Sequence, residues 1–272
     1  MNRRNFLKLI ATSTALGAVG QDLLAKTIIS EDGDFYTVDS LTKEAELSKP
    51  KDLFLDQKYH ESFYSVIKKL NFIQRDVGFG NYNIISFDAT IKQARMSSKI
   101  GAFTKDELAF MEYIFYYNPD VHGFYGERTC NKITESIKKS EIIKVPYTGH
   151  YLFKDRSLET YTSMTKDIGE SIILTSGVRS IMKQMKLFLD KLDNTKLNLS
   201  HASISLAPPA YSFHSTGDFD VGKKGLGHDN FTERFALTEE FSKMIKLSYV
   251  DIRYTINNKD GVRYEPWHVT VV

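Results

Sequence analysis

The sequence has one cysteine in 272 residues, and that scarcity removes two ways of holding a protein together. Cys130 cannot close an intramolecular disulfide, and it cannot supply a cysteine-rich structural zinc site. An excess of one charge is also missing. Thirty-six Lys and Arg stand against 34 Asp and Glu, a formal net charge of +2, so there is no electrostatic case for nucleic acid. No apolar run is long enough for a mature membrane helix; residues 9–20 are short and weakly apolar. Internal repeats and low-complexity tracts are absent as well. The single tryptophan contrasts with 15 Tyr and 18 Phe, aromatics that suit a sugar or peptide cleft but more often fill a core. Hydrophobic residues make up 42% of the chain, enough for one large or two modest domains.

The first residues carry Arg3-Arg4 ahead of Phe6-Leu7-Lys8. They resemble a twin-arginine export signal, S/T-R-R-x-F-L-K, with Asn2 at the Ser/Thr position. Ala18-Val19-Gly20 and Ala25 offer small-residue cleavage points. Residues 1–25 are therefore set aside from the fold. The expected location is the periplasm or cell envelope, reached by the twin-arginine route.

Residues 26–143 read as a linker followed by a mostly helical region. Residues 26–56 are polar and mixed. Phe63, Val66, Ile67, Leu70 and Ile73 then fall at helical spacing within 57–76. A short helix is predicted over 87–96. Thr104 and Glu107 form a capping box that opens a helix to about Tyr117, closed by Asn118-Pro119-Asp120. Residues 129–138 are predicted as another helix. The turn before it, from Gly123 to Thr129, weakly resembles that of small helical peptidoglycan-binding modules, though an ordinary helix–turn–helix reads the same way.

Residues 144–272 read as a second domain. Ser171 to Thr175 is a buried-type strand, and Ser180 caps a helix that points Met182, Met185, Phe188 and Leu189 inward. Residues 202–206 alternate like a strand, 237–246 are helical, and 249–254 and 262–272 read as strands. Helices beside strands without regular alternation predict an α+β fold. It has a mainly antiparallel sheet with flanking helices, preceded by the small helical region.

The chemistry concentrates in two stretches. Ser212 to Gly222 places His214, Asp218 and Asp220 within seven residues, punctuated by Gly217 and Gly222. Near the other end stands Glu265-Pro266-Trp267-His268. Together they offer two imidazoles, a carboxylate to complete a ligand set and a spare carboxylate to handle protons. That is the inventory of a catalytic zinc site with an open water position.

With a third stretch, Ser176-Gly177-Val178-Arg179-Ser180 followed by Gln184, the order resembles the VanY-type zinc D-alanyl-D-alanine carboxypeptidases. That group also holds the VanX dipeptidases. The family reads S-G-x-R-S, then S-x-H-x-x-G-x-x-x-D-V/I-G, then E-P-W-H, and the resemblance covers roughly 145–272. One departure is visible: His214 and Asp220 enclose five residues where the family usually has six. Asp220 rather than Asp218 matches, because Val221-Gly222 follow it; Asp218 is expected nearer the turn and closer to solvent.

The resemblance implies Zn2+ held by His214, Asp220 and His268, with Glu265 as general base and later acid. It further implies a backbone bend at Pro266, since positions i and i+3 of a strand face opposite ways. Arg179 is the candidate for an oxyanion or a substrate carboxylate, with a structural salt bridge as its alternative. Ser212 and Gln184 are candidate substrate hydrogen-bonders. His150 and His228 are expected to be structural, with His228 in a loop that can cover the cleft. The implied function is removal of the terminal D-alanine from peptidoglycan stem peptides. The alternatives are a D,D-dipeptidase, an L,D-cleaving peptidase, or a non-catalytic wall-binding protein.

Overall fold

The computed structural model describes residues 27–29, 35–37, 41 and 51–271; the twin-arginine stretch lies outside them. Among the described residues none forms a helix long and apolar enough to cross a membrane. The fold is α+β, as the sequence predicts, with eight α-helices and small antiparallel sheets among the described residues.

The helical region begins with α1, His60–Val77, which buries Phe63, Val66, Leu70 and Ile73. After the short α2, Phe79–Tyr82, comes α3, Phe87–Met96, whose first turn is capped by the Ser86 hydroxyl. The α4 helix, Lys105–Tyr116, opens with the predicted capping box, both of its hydrogen bonds formed. Glu107 also receives bonds from Ser65 and Lys69 of α1, so one cap ties two helices together.

In the C-terminal half, α5 spans Arg156–Ile168, α6 Ile181–Asn194, α7 Leu199–Ser205 and α8 Glu239–Met244. Strands β5 (Ile172–Ser176), β6 (Phe219–Lys223), β7 (Asp251–Ile252) and β8 (His268–Thr270) form an antiparallel sheet ordered β5-β6-β8-β7. The β5–β6 register shifts between Leu174 and Ser176. As a result Asp220 sits opposite Ser176 on one side and His268 on the other.

Two apolar cores support this arrangement. One joins α5 and α8 to the sheet through Met164, Leu174, Phe219, Val221, Phe241 and Val269. The other joins α1, α3 and α4 to α6 through Phe63, Leu70, Phe110, Met182, Met185 and Phe188, and it also takes in Tyr254 and Val262. One face of α6 therefore belongs to the helical region, and the packing does not divide at residue 143.

Five stretches depart from the sequence reading. Residues 129–138 are not helical, because their N–H groups are committed elsewhere. Thr129 and Cys130 both donate to the Ala210 carbonyl, while Asn131 and Lys132 donate to the Glu135 carboxylate. Residues 202–205 lie in α7, capped by Asn198, with Leu206 at its C-cap, rather than in a strand. Leu199, Ser200, Ala202, Ser203 and Ile204 are all buried, and a segment buried on most sides shows no helical period to read. The predicted strands 249–254 and 262–272 shrink to β7 and β8. The supposed linker pairs β1 (Thr27–Ile29) with β2 (Phe35–Thr37) and sends Ile28 and Leu41 into the sheet core.

Candidate active site

Three features of the local backbone assemble the site. The first is a tight loop ahead of β6. Gly217 and Asp218 both donate their N–H to the Phe213 carbonyl, and Gly217 has φ 142°, which glycine adopts readily. The loop delivers His214 and sets Asp218 and Asp220 two residues apart, with Phe219 between them in the core.

The second is a turn ahead of β8. The His268 N–H donates to the Glu265 carbonyl at 3.1 Å, closing a β-turn whose second residue is Pro266, the position proline favours. This turn resolves the i, i+3 difficulty. It lets Glu265 and His268 face the same side, with Glu265 Oε2 3.5 Å from His268 Nδ1. The third is the end of β5, where Gly177 passes so close to β4 (Tyr151–Phe153), the antiparallel partner of β3 (Ile142–Lys144), that an added Cβ would lie 2.1 Å from the Tyr151 carbonyl oxygen. The Gly177 carbonyl accepts from His214 Nδ1 at 2.9 Å.

The seven residues singled out from the sequence all line one cleft of about 340 Å³: Arg179, Gln184, Ser212, His214, Asp220, Glu265 and His268. His214, Asp220 and His268 each offer a ligand atom, and the three atoms lie within 4.8 Å of one another. His214 Nε2 stands 3.3 Å from Asp220 Oδ2, and His268 Nδ1 stands 3.6 Å from Asp220 Oδ1. Both imidazoles turn their second nitrogen away, towards the Gly177 carbonyl and the Asp218 carboxylate respectively. Asp220 Oδ1 is buried with no hydrogen-bond partner. Two backed imidazoles facing an unsatisfied buried carboxylate oxygen fit the donor set of a three-ligand zinc site.

The electrostatics are those of a buried charge cluster. Burial, with the nearby Arg179 cation, pushes His214 down to about 4. Burial works against a charged His268 too, but hydrogen bonds to Asp218 and Glu265 outweigh it and raise that imidazole to about 9. Burial opposes ionisation of Asp220 and Asp218. For Asp220 the charges of His214 and Arg179 win and hold the carboxyl far below its usual range. For Asp218 the hydrogen bonds from His268 and Arg253 win and bring it to about 2.

Arg179 spreads its guanidinium over Asp220 Oδ2 at 2.5 Å, Ser176 Oγ at 2.9 Å and Gln184 Oε1 at 3.5 Å. Gln184 is buried, and its amide nitrogen donates to the Ala207 carbonyl at 2.7 Å. His228 lines the cleft from the loop after β6. His150 sits beside Asn83 and is brought down to about 4, chiefly by burial.

Two features escaped the sequence reading. Asp218 is 1% exposed, not near solvent, because Arg253, His268 and the Val271 N–H all converge on it. Arg253 had no signal at all, since it becomes part of the site only through the β7–β8 pairing. Tyr254, next in sequence, places its ring edge-on to His268 with centroids 5.0 Å apart.

Two imidazoles and two carboxylates gathered over a cleft beside the inner strands β6 and β8 fit a metallohydrolase-type site. Residues 154–272 match the model of the VanY family, D-alanyl-D-alanine carboxypeptidase. That stretch, under half of the chain, resembles a VanY-type domain of the D-alanyl-D-alanine carboxypeptidase type. No curated protein matches the chain.

Solved structures with some likeness include a mutant of the vancomycin resistance D,D-pentapeptidase VanY from a VanB-type resistance cassette, in complex with Zn(II). It shows 21% identity and a TM-score of 0.37 over 47% of this chain and 76% of that one. The LdcB LD-carboxypeptidase shows 23% identity and a TM-score of 0.39 over 49% and 68%. The vancomycin resistance D,D-dipeptidase VanXYg, in complex with a D-Ala-D-Ala phosphinate analogue, shows 19% and 0.39 over 49% and 59%. The resemblance to the family is carried by the match over residues 154–272.

Proposed function

We propose that this protein is an exported zinc carboxypeptidase that removes the terminal D-alanine of peptidoglycan stem peptides. The observation that carries the reading is the convergence of His214, Asp220 and His268 beside the unpaired Asp220 oxygen, with Glu265 at the same face of the cleft. His214 Nε2, an Asp220 oxygen and His268 Nδ1 would hold the metal. Zinc there supplies Lewis acidity, which brings the pKa of a bound water towards about 7.

The protein's own groups divide the remaining work. Glu265 takes a proton from the attacking water and returns it to the leaving amine. Arg179, fixed by Ser176 and Gln184, presents a planar cation to the developing oxyanion or to the substrate's terminal carboxylate. Gln184 spends its amide on Ala207 and Arg179, which makes it an orienting residue. Ser212 lines the cleft where a substrate amide can reach it.

The test is metal content together with turnover of a pentapeptide ending in D-Ala-D-Ala. Stoichiometric zinc and release of free D-alanine support the reading. Release of the D-Ala-D-Ala dipeptide would instead make it a dipeptidase, and zinc without turnover would make it a binding protein. Export rests on the Arg3-Arg4 pair. Replacing both with Lys should retain the folded, metal-loaded protein in the cytoplasm; undiminished periplasmic activity in fractionated cells would reject that route.

A further inference from the structure

His268 is held from both sides by carboxylates that are two residues apart in the chain. Asp220 addresses Nδ1 at 3.6 Å, and Asp218 accepts from Nε2 at 3.0 Å. Because the two aspartates share a face, a single short stretch grips both edges of one ring. Asp218 has no role in the proposed ligand set, yet it is among the most heavily engaged side chains of the site. Its Oδ2 takes the Arg253 Nε–H as well as His268, and its Oδ1 takes the Arg253 Nη2–H at 3.1 Å and the Val271 N–H at 3.0 Å. The Arg253 N–H groups and the Val271 N–H can only donate, which keeps Asp218 a carboxylate acceptor and assigns the His268 proton on this side to Nε2. The lone pair of the neutral ring is then on Nδ1, the nitrogen that faces Asp220 and Glu265.

Arg253 is itself fixed. Its guanidinium lies over the Phe213 ring, 3.5 Å from the centroid, and Phe213 directly precedes His214. Its backbone N–H donates to the His268 carbonyl at 3.1 Å. One cation thus touches the loop that carries His214, the aspartate that backs His268 and the strand that carries His268.

We infer that Asp218 is a positioning residue that fixes the tautomer and ring orientation of His268, and that Arg253 braces Asp218 in that task. This inference rests on the zinc-site reading above. A carboxylate behind a ligating imidazole raises its basicity and fixes its aim, and losing such a partner typically costs about 10-fold to 100-fold in metal affinity or activity.

The experiment uses the full-length chain and zinc alone. Zinc affinity is measured by competition with a chromophoric chelator, and Co(II) substitution gives the ligand-field spectrum. Asp218→Ala should weaken zinc binding about 10-fold to 100-fold, with Asp218→Asn losing less because its carbonyl still accepts. Both should shift the Co(II) bands without removing a ligand, and both should lower kcat with little change in KM. Arg253→Met, at a partly exposed outer position, should reproduce a milder form of the same changes, and Arg253→Lys should recover part of the loss. If the Asp218 variants do not fold, the Arg253 pair decides alone.

Unchanged zinc affinity and an unchanged Co(II) spectrum, with only the melting temperature lowered, would make Asp218–Arg253 a structural ion pair and overturn the inference. Loss of one Co(II) ligand in Asp218→Asn would make Asp218 a ligand and overturn it as well. A wild-type protein that binds zinc but cleaves no D-Ala-D-Ala peptide would sink the proposed function while leaving the affinity comparison intact.

Discussion

Glu265→Gln isolates the proton-handling step from everything else the site does. The substitution keeps the size of the side chain and its place in the Glu265–His268 turn, whose hydrogen bonds are made by the backbone. The other carboxylate lining the cleft is Asp220, paired with Arg179 at 2.5 Å and facing His214. Asp218 lies behind His268, occupied by Arg253. No other carboxylate lining the cleft is therefore free to replace Glu265. General acid–base groups contribute about 100-fold to 10,000-fold, and without a substitute the loss should fall near the upper end. At about 1.36 kcal/mol per decade, a 10,000-fold loss corresponds to about 5.4 kcal/mol of transition-state stabilisation. The assay is D-alanine release from a D-Ala-D-Ala pentapeptide, with zinc content measured on the same preparation. The expected result is a collapsed kcat, a KM close to that of the wild type, and full zinc. A kcat loss under about 10-fold would refute Glu265 as the base, and an emptied metal site would move it into the ligand set.

Asp220→Ala should abolish zinc retention, measured by metal analysis after gel filtration, whereas Asp218→Ala should retain zinc at high metal concentration; the reverse pattern would exchange their roles. Gly177→Ala should destabilise the protein by about 3 kcal/mol in urea unfolding, the upper end for overpacking, because the new Cβ meets a backbone oxygen. Lys183→Met should stabilise the protein by about 1 kcal/mol at pH 7, after discounting for partial exposure. Burial, and then the Arg179 and Lys186 charges, bring Lys183 down from 10.5 to about 8. Its charged form is thus disfavoured in the fold, a penalty present below pH 8 and relieved as pH rises towards 10.5. The gain from the substitution should shrink over that window; a gain constant with pH would show that the charge is not its cause.

The convergence of the candidate residues of the C-terminal half was largely legible because it is written in short, local signals. Ser176-Gly177-Val178-Arg179, the His214–Asp220 loop and Glu265 to His268 each keep their functional atoms within a few residues. The helices that begin at Ser86, Thr104 and Ser180 were legible for the same reason, since caps and apolar spacing are local. What stayed hidden depends on distant pairing. The strand-like alternation of residues 202–206 was overridden by burial on most sides, and residues 129–138 gave up helix formation for bonds to Ala210 and Glu135. Asp218 looked solvent-facing because nothing nearby in sequence announced Arg253. The shortened His214–Asp220 interval hinted that the loop differed, but not that it would set two carboxylates around one imidazole.

The shared helix α6 has a consequence for modularity. Its N-cap, Ser180, follows Arg179 directly, and its buried face is completed by Phe63, Leu70 and Phe110 of the helical region. The stretch that matches the family begins at 154, inside a packing unit rather than at its edge. A piece cut there would leave Met182, Met185 and Phe188 facing water, at roughly 1.5–3 kcal/mol for each such side chain. The helical layer is consequently inherited with the catalytic sheet or not at all. Exchanging it for a different helical module would require redesigning the outer face of the helix that begins one residue after Arg179.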